Sequence, residues 1–291
     1  DMSILELLQN YHQSSYVIEH FWEPIALAAM STAISKASAQ IFCNVLRQVF
    51  AANASHSNWY LPTVDLTTLL PTAIAQYVQN FDNQIICNQS IKQIEFVNGK
   101  ARVLSNANAW TADHVVLATP PWQTEKILQA HATLQPLCTN LQAFNFESIT
   151  TIYYKFSQAV QLPYPILSTL HSTCQWIFDR AFAAQPNILS AVITGPAAHA
   201  YDANHVLSDI VLKEISLHFP ALSDPIAYKV IREKRAAFSC DVTIQQHRPR
   251  PATAYKNLWL CGDYLQTGLP ATLEGALLSG KQTCSELLKT C

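Results

Sequence analysis

Charged residues are scarce in this chain of 291 residues, at 13% of the total, about half the share of an ordinary soluble domain. The 18 Lys and Arg residues and the 20 Asp and Glu residues leave a formal net charge of −2, without a basic stripe. This balance excludes a surface built for phosphate backbones, so we expect no nucleic-acid partner. Because 49% of the residues are hydrophobic, much of the surface must be uncharged or covered.

Long apolar runs are also missing. The longest, "PIALAAM" from Pro24, has about a third of the ~20 residues that a membrane-spanning helix requires. We therefore expect a protein that does not cross a bilayer, while peripheral contact with the inner membrane stays open. The chain begins at Asp1 and has no signal peptide, which predicts a cytoplasmic protein whose numbering starts inside a longer sequence.

Spacings typical of metal sites do not occur. The eight cysteines form no C-x-x-C pair, so we expect them to be small hydrophobic residues in a reducing cytosol. His12 and His20, like His199 and His205, lack the i, i+4 spacing of a helical metal-binding pair. No metal site is predicted.

The hydrophobic pattern changes repeatedly between helical and strand periods. Residues 1–57 are helical in pattern, with an expected break at Pro24 and a Ser3-x-x-Glu6 capping box at the start. Two alternating runs flank Asn98-Gly99, the signature of a β-hairpin. The apolar run "DHVVLATPP" is typical of an inner strand of a parallel sheet. Further helices are predicted at 66–80, 122–140 and 204–218, and further strands at 148–157, 175–179, 188–195, 227–238 and 257–263.

This order of elements predicts an α/β fold of the mixed α+β type. Segments 61–125 and 240–291 combine buried strands with helices, whereas segments 1–60 and 126–239 are helical or antiparallel. Two interleaved domains fit that order better than two consecutive ones.

Glycine is the scarcest small residue, and four of the six glycines lie between positions 262 and 280. They follow an apolar strand pattern and enclose a helix that is expected to begin near Pro270, an early helical position that suits proline. Unpaired amides and the helix dipole attract an anionic or electron-rich group at such a helix start. The segment therefore predicts a dinucleotide site, although a plain strand-to-helix turn has the same pattern.

Several motifs resemble one enzyme superfamily. The segment "LWLCGDYLQTGLPATLEGALLSGKQTCSELL" resembles the C-terminal FAD motif of the flavin amine oxidase and phytoene desaturase superfamily. The stretch "SIKQIEFVNGKARVL", followed by "ADHVVLATPPW", resembles its middle segment. The order of "FWEPIALAAMST", "SAQIFCNVLRQVF", "LPTVDLTTLLP", "ITTIYYKF", "QWIFDR" and "VIREKRAAF" resembles the hydroxysqualene dehydroxylase branch.

The resemblance implies a partial Rossmann-like FAD-binding domain interleaved with a substrate domain of antiparallel sheet and helices. The FAD-binding parts would be 61–125 and 240–291, and the substrate-domain parts 1–60 and 126–239. The superfamily binds the FAD pyrophosphate with a G-x-G-x-x-G motif, and these 291 residues contain none. The resemblance thus implies that the N-terminal FAD-binding segment is missing from this chain. Either the chain is a fragment of a longer protein, or it is a natural truncation, or a partner chain supplies the motif.

The resemblance also implies contacts to FAD. Gly262 and the Asp263 carboxylate would contact its ribityl and pyrophosphate part, and the Leu273 amide would point at the pyrimidine carbonyl. Some amine oxidases carry an aromatic residue at position 272, and Thr272 instead favours an apolar substrate over an amine. The other implied cofactor contacts are Glu274 beside the flavin, Ile91 at the adenine, and Ala118, Thr119 and Pro120 over the adenosine side.

The implied reaction is the reductive dehydroxylation of a hydrophobic isoprenoid, hydroxysqualene, in hopanoid and squalene synthesis. Glu23 and Asp179 are candidates for the acid, because each lies in an apolar context where a carboxylate needs a partner or a raised pKa. A structural contact between Asp179 and Arg180, or pairing of the arginine elsewhere, explains the Asp179-Arg180 pair equally well. Arg235 is a candidate for binding a substrate hydroxyl. The alternative interpretation is that it lies on a solvated strand edge without a role in binding.

Two other functions stay open. A desaturase of carotenoids or phytoene would use the same cofactor in the opposite redox direction. A non-catalytic lipid-binding module would bind squalenoids without converting them.

Overall fold

The computed structural model describes residues 1–51, 53–195 and 202–290 of the chain. His199 lies outside the described residues. The mixed class of helices and sheets predicted from the sequence is confirmed. No helix within the described ranges is both long and apolar enough to cross a membrane.

Four helices occupy the first 50 residues. The predicted capping box is present at the first of them, where the Ser3 hydroxyl accepts from the Glu6 amide and Glu6 accepts from the Ser3 amide. The expected break at Pro24 is wrong: a π-helical turn, Ile18–Trp22, runs directly into the next helix, with Pro24 in its first turn. Proline has no N–H to donate, and the irregular hydrogen bonding of the π-helical turn before it accommodates the missing donor within a continuous helix. The helices are α1 (Ile4–Asn10), α2 (Ser15–Val17), α3 (Glu23–Met30) and α4 (Ala39–Phe50).

The predicted hairpin is confirmed. A π-helical turn, Thr68–Thr72, and α5 (Ala73–Gln79) precede it. Asn98 and Gly99 both have positive φ, 50° and 75°, which allows the tight two-residue turn between paired strands. The antiparallel sheet contains β1 (Ile91–Val97), β2 (Lys100–Ser105) and β3 (Ala109–Ala112).

A strand, two helices and a larger antiparallel sheet follow. The short strand β4 (Val115–Leu117) leads into α6 (Pro121–Leu128) and α7 (Gln135–Gln142). The larger sheet has the strand order β6-β7-β8-β5-β9, and helix α8 (Asn204–His218) lies between its last two strands in sequence. Its strands are β5 (Phe146–Lys155), β6 (Ile166–Ser168), β7 (Trp176–Asp179), β8 (Ile188–Thr194) and β9 (Ala227–Phe238).

The final strand returns to β4. Strand β10 (Leu258–Leu260) pairs with it in parallel, so the strand predicted from "DHVVL" and its parallel pairing are confirmed. Its expected inner position is not observed, because within the described residues this sheet has two strands. A loop then connects β10 to helix α9 (Leu273–Leu287).

Within the part of the chain that the structure describes, the buried apolar side chains form two clusters. One joins the N-terminal helices to β1, β4, β10 and the α6–α7 region, and contains Met30, Ile94, Leu117 and Leu260. The other lies under the five-stranded sheet, where Ile152 and Ile177 pack with Val211 of α8. The four-segment domain division stays a prediction.

Candidate functional site

The candidate site is a cavity at the carboxyl ends of the parallel strands β4 and β10. The two strands run side by side from Val115 paired with Leu258 to Leu117 paired with Leu260, so both chains leave the sheet at the same edge. This is where open α/β sheets bind ligands. The cavity has a volume of about 290 Å³ and is lined by Ala118–Trp122, Phe146, Arg235–Phe238, Gly262–Tyr264 and Ala276.

A chain of hydroxyl groups ties the two strand ends together. Thr124 of α6 forms hydrogen bonds with the Thr119 hydroxyl at 2.8 Å and with the Thr119 carbonyl at 3.0 Å. The same hydroxyl lies 3.3 Å from that of Tyr264, and the Tyr264 side chain is completely buried. The loop after β4 and the loop after β10 therefore have fixed relative positions at the cavity.

Gly262 allows the chain to turn tightly over Tyr264. Its φ is +152°, and a Cβ built on it would lie 2.5 Å from Cε1 of that ring. The Gly262 amide also donates to the Ser279 hydroxyl of α9 at 2.9 Å. The structure thus gives a packing reason for glycine at the position where the sequence predicts a cofactor contact.

The Asp263 carboxylate lies in the cavity in a poorly hydrated position. Burial raises the pKa of this carboxyl, and the opposing influences are the positive charge of Arg248 and hydrogen bonds from the Tyr264 and Asp263 amides. A carboxylate in this position is able to accept hydrogen bonds from ligand hydroxyls, and this role of Asp263 stays a prediction.

The start of α9 differs in detail from the prediction. The helix begins at Leu273, not near Pro270, because the Thr272 side chain accepts from the Gly275 amide at 3.1 Å and makes Thr272 the N-cap. Within the described residues, the Leu273 and Glu274 amides have no acceptor, as expected of a first helical turn. Both side chains are exposed, and neither they nor Thr272 line the cavity.

Arg235 and two aromatic rings form another wall of the cavity. The Arg235 guanidinium lies 5.0 Å from the centroid of Trp122 and 5.7 Å from that of Phe146. The two rings meet edge to face at 4.8 Å, which gives a rigid apolar surface under an exposed cation. Of the three catalytic candidates from the sequence, only Arg235 lies at the cavity.

Glu23 and Asp179 lie elsewhere. Glu23 borders a separate cavity of about 200 Å³ beside Trp176. Asp179 is 6% exposed, and its two carboxylate oxygens accept from the backbone amides of Leu162 and Ala181. Of the two structural alternatives, the arginine pairs elsewhere: the Arg180 Nε donates to the Gln185 side-chain oxygen, and the described residues show no hydrogen bond or ion pair between Asp179 and Arg180.

The remaining implied cofactor contacts are divided between two places. Thr119 and Pro120 are in the cavity together with Gly262 and Asp263. Ile91 starts β1, pairs with Ser105, and packs against the larger apolar cluster away from the cavity lining.

Sequence reasoning did not identify the contributions of Tyr264 and Trp122 to this site. The ring of Tyr264 sets the need for glycine two residues earlier, and Trp122 contacts Arg235, which is far away in sequence. The aromatic residues after the double proline and after Gly-Asp were the only signals, and they are typical of core positions too.

The donor set fits part of a dinucleotide. A carboxylate acceptor, free amides at a helix start and flat aromatic walls match hydroxyl, carbonyl and ring groups respectively. The cavity of about 290 Å³ is just below the range for small-molecule and cofactor sites, about 300–1,000 Å³. These residues can therefore hold a portion of such a ligand.

Comparison with protein families adds an independent finding. The sequence model of the family described as "Flavin containing amine oxidoreductase" matches residues 3–288. The chain is 23% identical over 276 residues to a hydroxysqualene dehydroxylase of Zymomonas mobilis, which covers 91% of this chain and 61% of the relative. It is 24% identical over 232 residues to a 15-cis-phytoene desaturase of an Oncidium hybrid cultivar, covering 72% of this chain and 39% of that protein.

A solved structure with the same fold is the cyclohexylamine oxidase of Brevibacterium oxydans. The TM-score is 0.74 at 13% identity, and the match covers all of this chain and 68% of the oxidase. The chain spans less than two thirds of the length of the curated relatives named above.

Proposed function

This chain belongs to the flavin-containing amine oxidoreductase family, and from that membership we propose that the protein is an FAD-dependent oxidoreductase acting on a long isoprenoid. The reaction we propose is the removal of the hydroxyl group of hydroxysqualene to give squalene. The similarity to a hydroxysqualene dehydroxylase over 91% of the chain supports this choice of substrate.

The observation that carries the proposal is the cavity at the ends of β4 and β10. Its lining combines two charged side chains, Asp263 and Arg235, with the apolar faces of Trp122 and Phe146. A flavin reaction on an isoprenoid needs this combination, because the cofactor is polar and the substrate is a hydrocarbon except at one hydroxyl.

Family membership implies FAD as the cofactor. The Asp263 carboxylate would accept from its ribityl hydroxyls, and the free amides of Leu273 and Glu274, positioned by Thr272, would donate to its electron-rich atoms. Gly262 would let the backbone turn beside it. Further proposed contacts, on the adenosine side, are Thr119 and Pro120 after β4 and the backbone of Ile91. When bound, the flavin supplies or accepts a hydride.

The chain itself would orient the substrate and exclude water. Loss of an allylic hydroxyl requires a proton on the leaving oxygen and protection of the resulting delocalised cation from solvent. The rings of Trp122 and Phe146 offer an apolar surface for the hydrocarbon next to that centre. Arg235, directly above these rings, would donate hydrogen bonds to the hydroxyl oxygen and hold it in place while keeping its own proton.

The test is product analysis with protein expressed from the complete reading frame. Hydroxysqualene is supplied with FAD and a chemical reductant, and squalene is measured by gas chromatography. Arg235→Met should lower kcat/KM about tenfold to a hundredfold, because a hydrogen bond to a charged group contributes about 1.5–3 kcal/mol. Arg102→Met, which removes an exposed cation on the β1–β2 hairpin, is the matched control and should change nothing.

Desaturation of a carotenoid-like chain is the second candidate, because the chain is also similar to a phytoene desaturase. Phytoene is therefore offered in parallel with hydroxysqualene. Conversion of phytoene without formation of squalene would replace the first proposal by this one, and binding of either lipid without conversion would favour a lipid-binding module.

We also propose a cytoplasmic protein that touches the inner membrane, because a long isoprenoid dissolves in lipid. Exposed aromatic side chains at Trp59, Tyr60, Tyr77 and Phe81 support a membrane-facing segment. Trp59→Ser with Tyr60→Ser should reduce flotation with phospholipid vesicles, whereas Tyr164→Ser, an equally exposed aromatic elsewhere, should not. Equal flotation of both variants and the wild type would contradict the assignment of this segment.

A further inference from the structure

Arg248 is a buried cation that no sequence motif singled out. Its side chain is 1% exposed and is the largest of the fully buried side chains in the described part of the protein. The guanidinium lies over the ring of Phe238, 5.1 Å from its centroid. In a chain with so few charges, a buried cation of this kind needs a specific explanation.

The Arg248 guanidinium spans the loop between β10 and α9. Nη2 donates to the Asp263 carbonyl at 2.8 Å and to the Thr267 hydroxyl at 2.9 Å, and Nη1 donates to the Leu269 carbonyl at 2.7 Å. The loop spans residues 261–272, and the Asp263 and Leu269 acceptors lie six residues apart within it. One planar group therefore holds three points of the loop together.

Neighbouring backbone bonds make the same connection. The Pro249 carbonyl accepts from the Gln266 amide at 3.0 Å, and the Pro251 carbonyl accepts from the Leu260 amide at 2.8 Å. The segment that begins with Arg248 thus lies beside β10 and its loop and is hydrogen-bonded to both. From the other side, Asn44 of α4 donates to the Gly268 carbonyl at 3.0 Å.

The arrangement is costly for stability alone. Burial lowers the pKa of Arg248 to about 10, which leaves the group charged at neutral pH. Its Nε is the one buried side-chain nitrogen or oxygen without a partner in the described residues. Neutral side chains of similar volume often stabilise such a position as well as a buried charge does, so retention of a charge points to a requirement on geometry.

We propose that Arg248 is a positioning residue for the cofactor: it holds Asp263 and Leu269, two points within the loop, at a fixed separation. The carboxylate of Asp263 and the amide-bearing start of α9 then face the cofactor without further ordering of the loop on binding. Preorganisation of this kind raises affinity by lowering the entropy lost on association. The inference rests on the proposed function, since it presumes that FAD binds at this loop.

The experiment compares variants of the full-length protein stripped of flavin. Arg248→Lys keeps the charge but replaces the planar fork by a single ammonium, and Thr267→Val removes one acceptor within the loop. Arg250→Gln changes an exposed arginine two residues away, and Thr267→Ser keeps the hydroxyl, so these two are the matched controls. Each protein is measured for FAD dissociation constant, for thermal midpoint without FAD, and for amide hydrogen exchange.

We expect Arg248→Lys to raise the FAD dissociation constant about tenfold, and Thr267→Val to raise it less. Amide exchange without FAD should accelerate in residues 263–275 and stay unchanged in β5 and β8. A purely structural role would instead lower the thermal midpoint and accelerate exchange throughout, with FAD affinity preserved in the folded fraction. If Arg248→Lys does not fold, Thr267→Val against Thr267→Ser decides the question on the same three measurements.

The two possible failures are distinguishable. A wild-type protein that binds no FAD overturns the proposed function and this inference together. A wild type that binds FAD, with Arg248→Lys and Thr267→Val within about twofold of it, overturns the positioning role and leaves the proposed function intact.

Discussion

Replacement of Gly262 by alanine tests how the loop after β10 is built. A Cβ at this position would lie 2.5 Å and 2.7 Å from two carbons of the Tyr264 ring, closer than real contacts allow. The ring cannot move away easily, because it is completely buried and its hydroxyl lies 3.3 Å from that of Thr124. The substitution therefore forces either the ring or the β10 loop to shift.

The magnitude follows from two separate costs. Alanine at positive φ costs about 1–2 kcal/mol, and overpacking of a filled site costs about 1–3 kcal/mol, so Gly262→Ala should lose about 2–5 kcal/mol of unfolding free energy. Gly99 provides the matched control: its φ is +75°, and a Cβ there would meet nothing within 4 Å. Gly99→Ala should therefore lose only the backbone cost, about 1–2 kcal/mol.

The assay is equilibrium urea denaturation of both variants, alone and combined with Tyr264→Leu. We expect Gly262→Ala to be the more destabilising by about 1–3 kcal/mol, and to cost less when the ring has been removed. Equal losses for the two glycine variants, or an unchanged cost of Gly262→Ala beside Tyr264→Leu, would refute the packing argument.

Three further predictions concern carboxyl and thiol groups. Burial raises the pKa of the Asp263 carboxyl above the ordinary Asp value of about 3.9. At pH values between the unfolded and the folded pKa, the folded state therefore binds more protons than the unfolded chain. The stability that this group contributes falls as the pH rises through that range. The unfolding free energy of Asp263→Asn relative to the wild type should therefore increase between acid and neutral pH in urea denaturation. A relative unfolding free energy that falls over that range would contradict the raised pKa. Burial raises the pKa of Cys174 to about 11, whereas Cys284 is exposed. Iodoacetamide should therefore leave Cys174 unmodified in the native protein and modify Cys284, as measured by peptide mass spectrometry. Equal labelling of the two cysteines would argue against the burial of Cys174. Asp179→Asn should cost about 1–3 kcal/mol of unfolding free energy, because one of two buried backbone amides loses its acceptor. Glu23→Gln should stay within about 0.5 kcal/mol of the wild type. A loss of activity in either variant that exceeds what its loss of folded protein explains would restore that residue as a catalytic candidate.

Local chemistry made the hairpin predictable. Asn98 and Gly99 adopt the positive φ values that their dipeptide favours, and the alternation on either side sets the register of β1 and β2. The parallel strand β4 was predictable for a similar reason, because a continuous apolar run that ends at a double proline is typical of a buried parallel strand. These features depend on neighbouring residues alone.

The start of α9 shows where a local signal misled the prediction. Pro270 suits an early helical position, but the Thr272 hydroxyl satisfies the Gly275 amide, and this cap sets the first helical residue at Leu273. The Pro24 prediction failed similarly, because a π-helical turn carries the helix through the proline. In both cases two acceptable patterns competed, and hydrogen bonding in the folded chain decided between them.

The contacts of Arg248 and Arg235 were beyond prediction from one sequence. Arg248 donates to carbonyls 15 and 21 residues later, and Arg235 lies over Trp122, which belongs to a different element. Neither spacing corresponds to a helical or strand period. Such pairings arise only from the way in which the β10 loop, β9 and α6 pack.

The central claim, that the protein holds a flavin against the loop after β10, is tested most directly by an absorption spectrum. The wild type and Asp263→Asn are expressed from the complete reading frame and desalted. The control is Asp113→Asn, which replaces an exposed carboxyl between β3 and β4. The account predicts flavin bands that survive desalting in the wild type and in Asp113→Asn, and that are weaker in Asp263→Asn. A folded wild type without flavin absorption, before and after incubation with FAD, would contradict it.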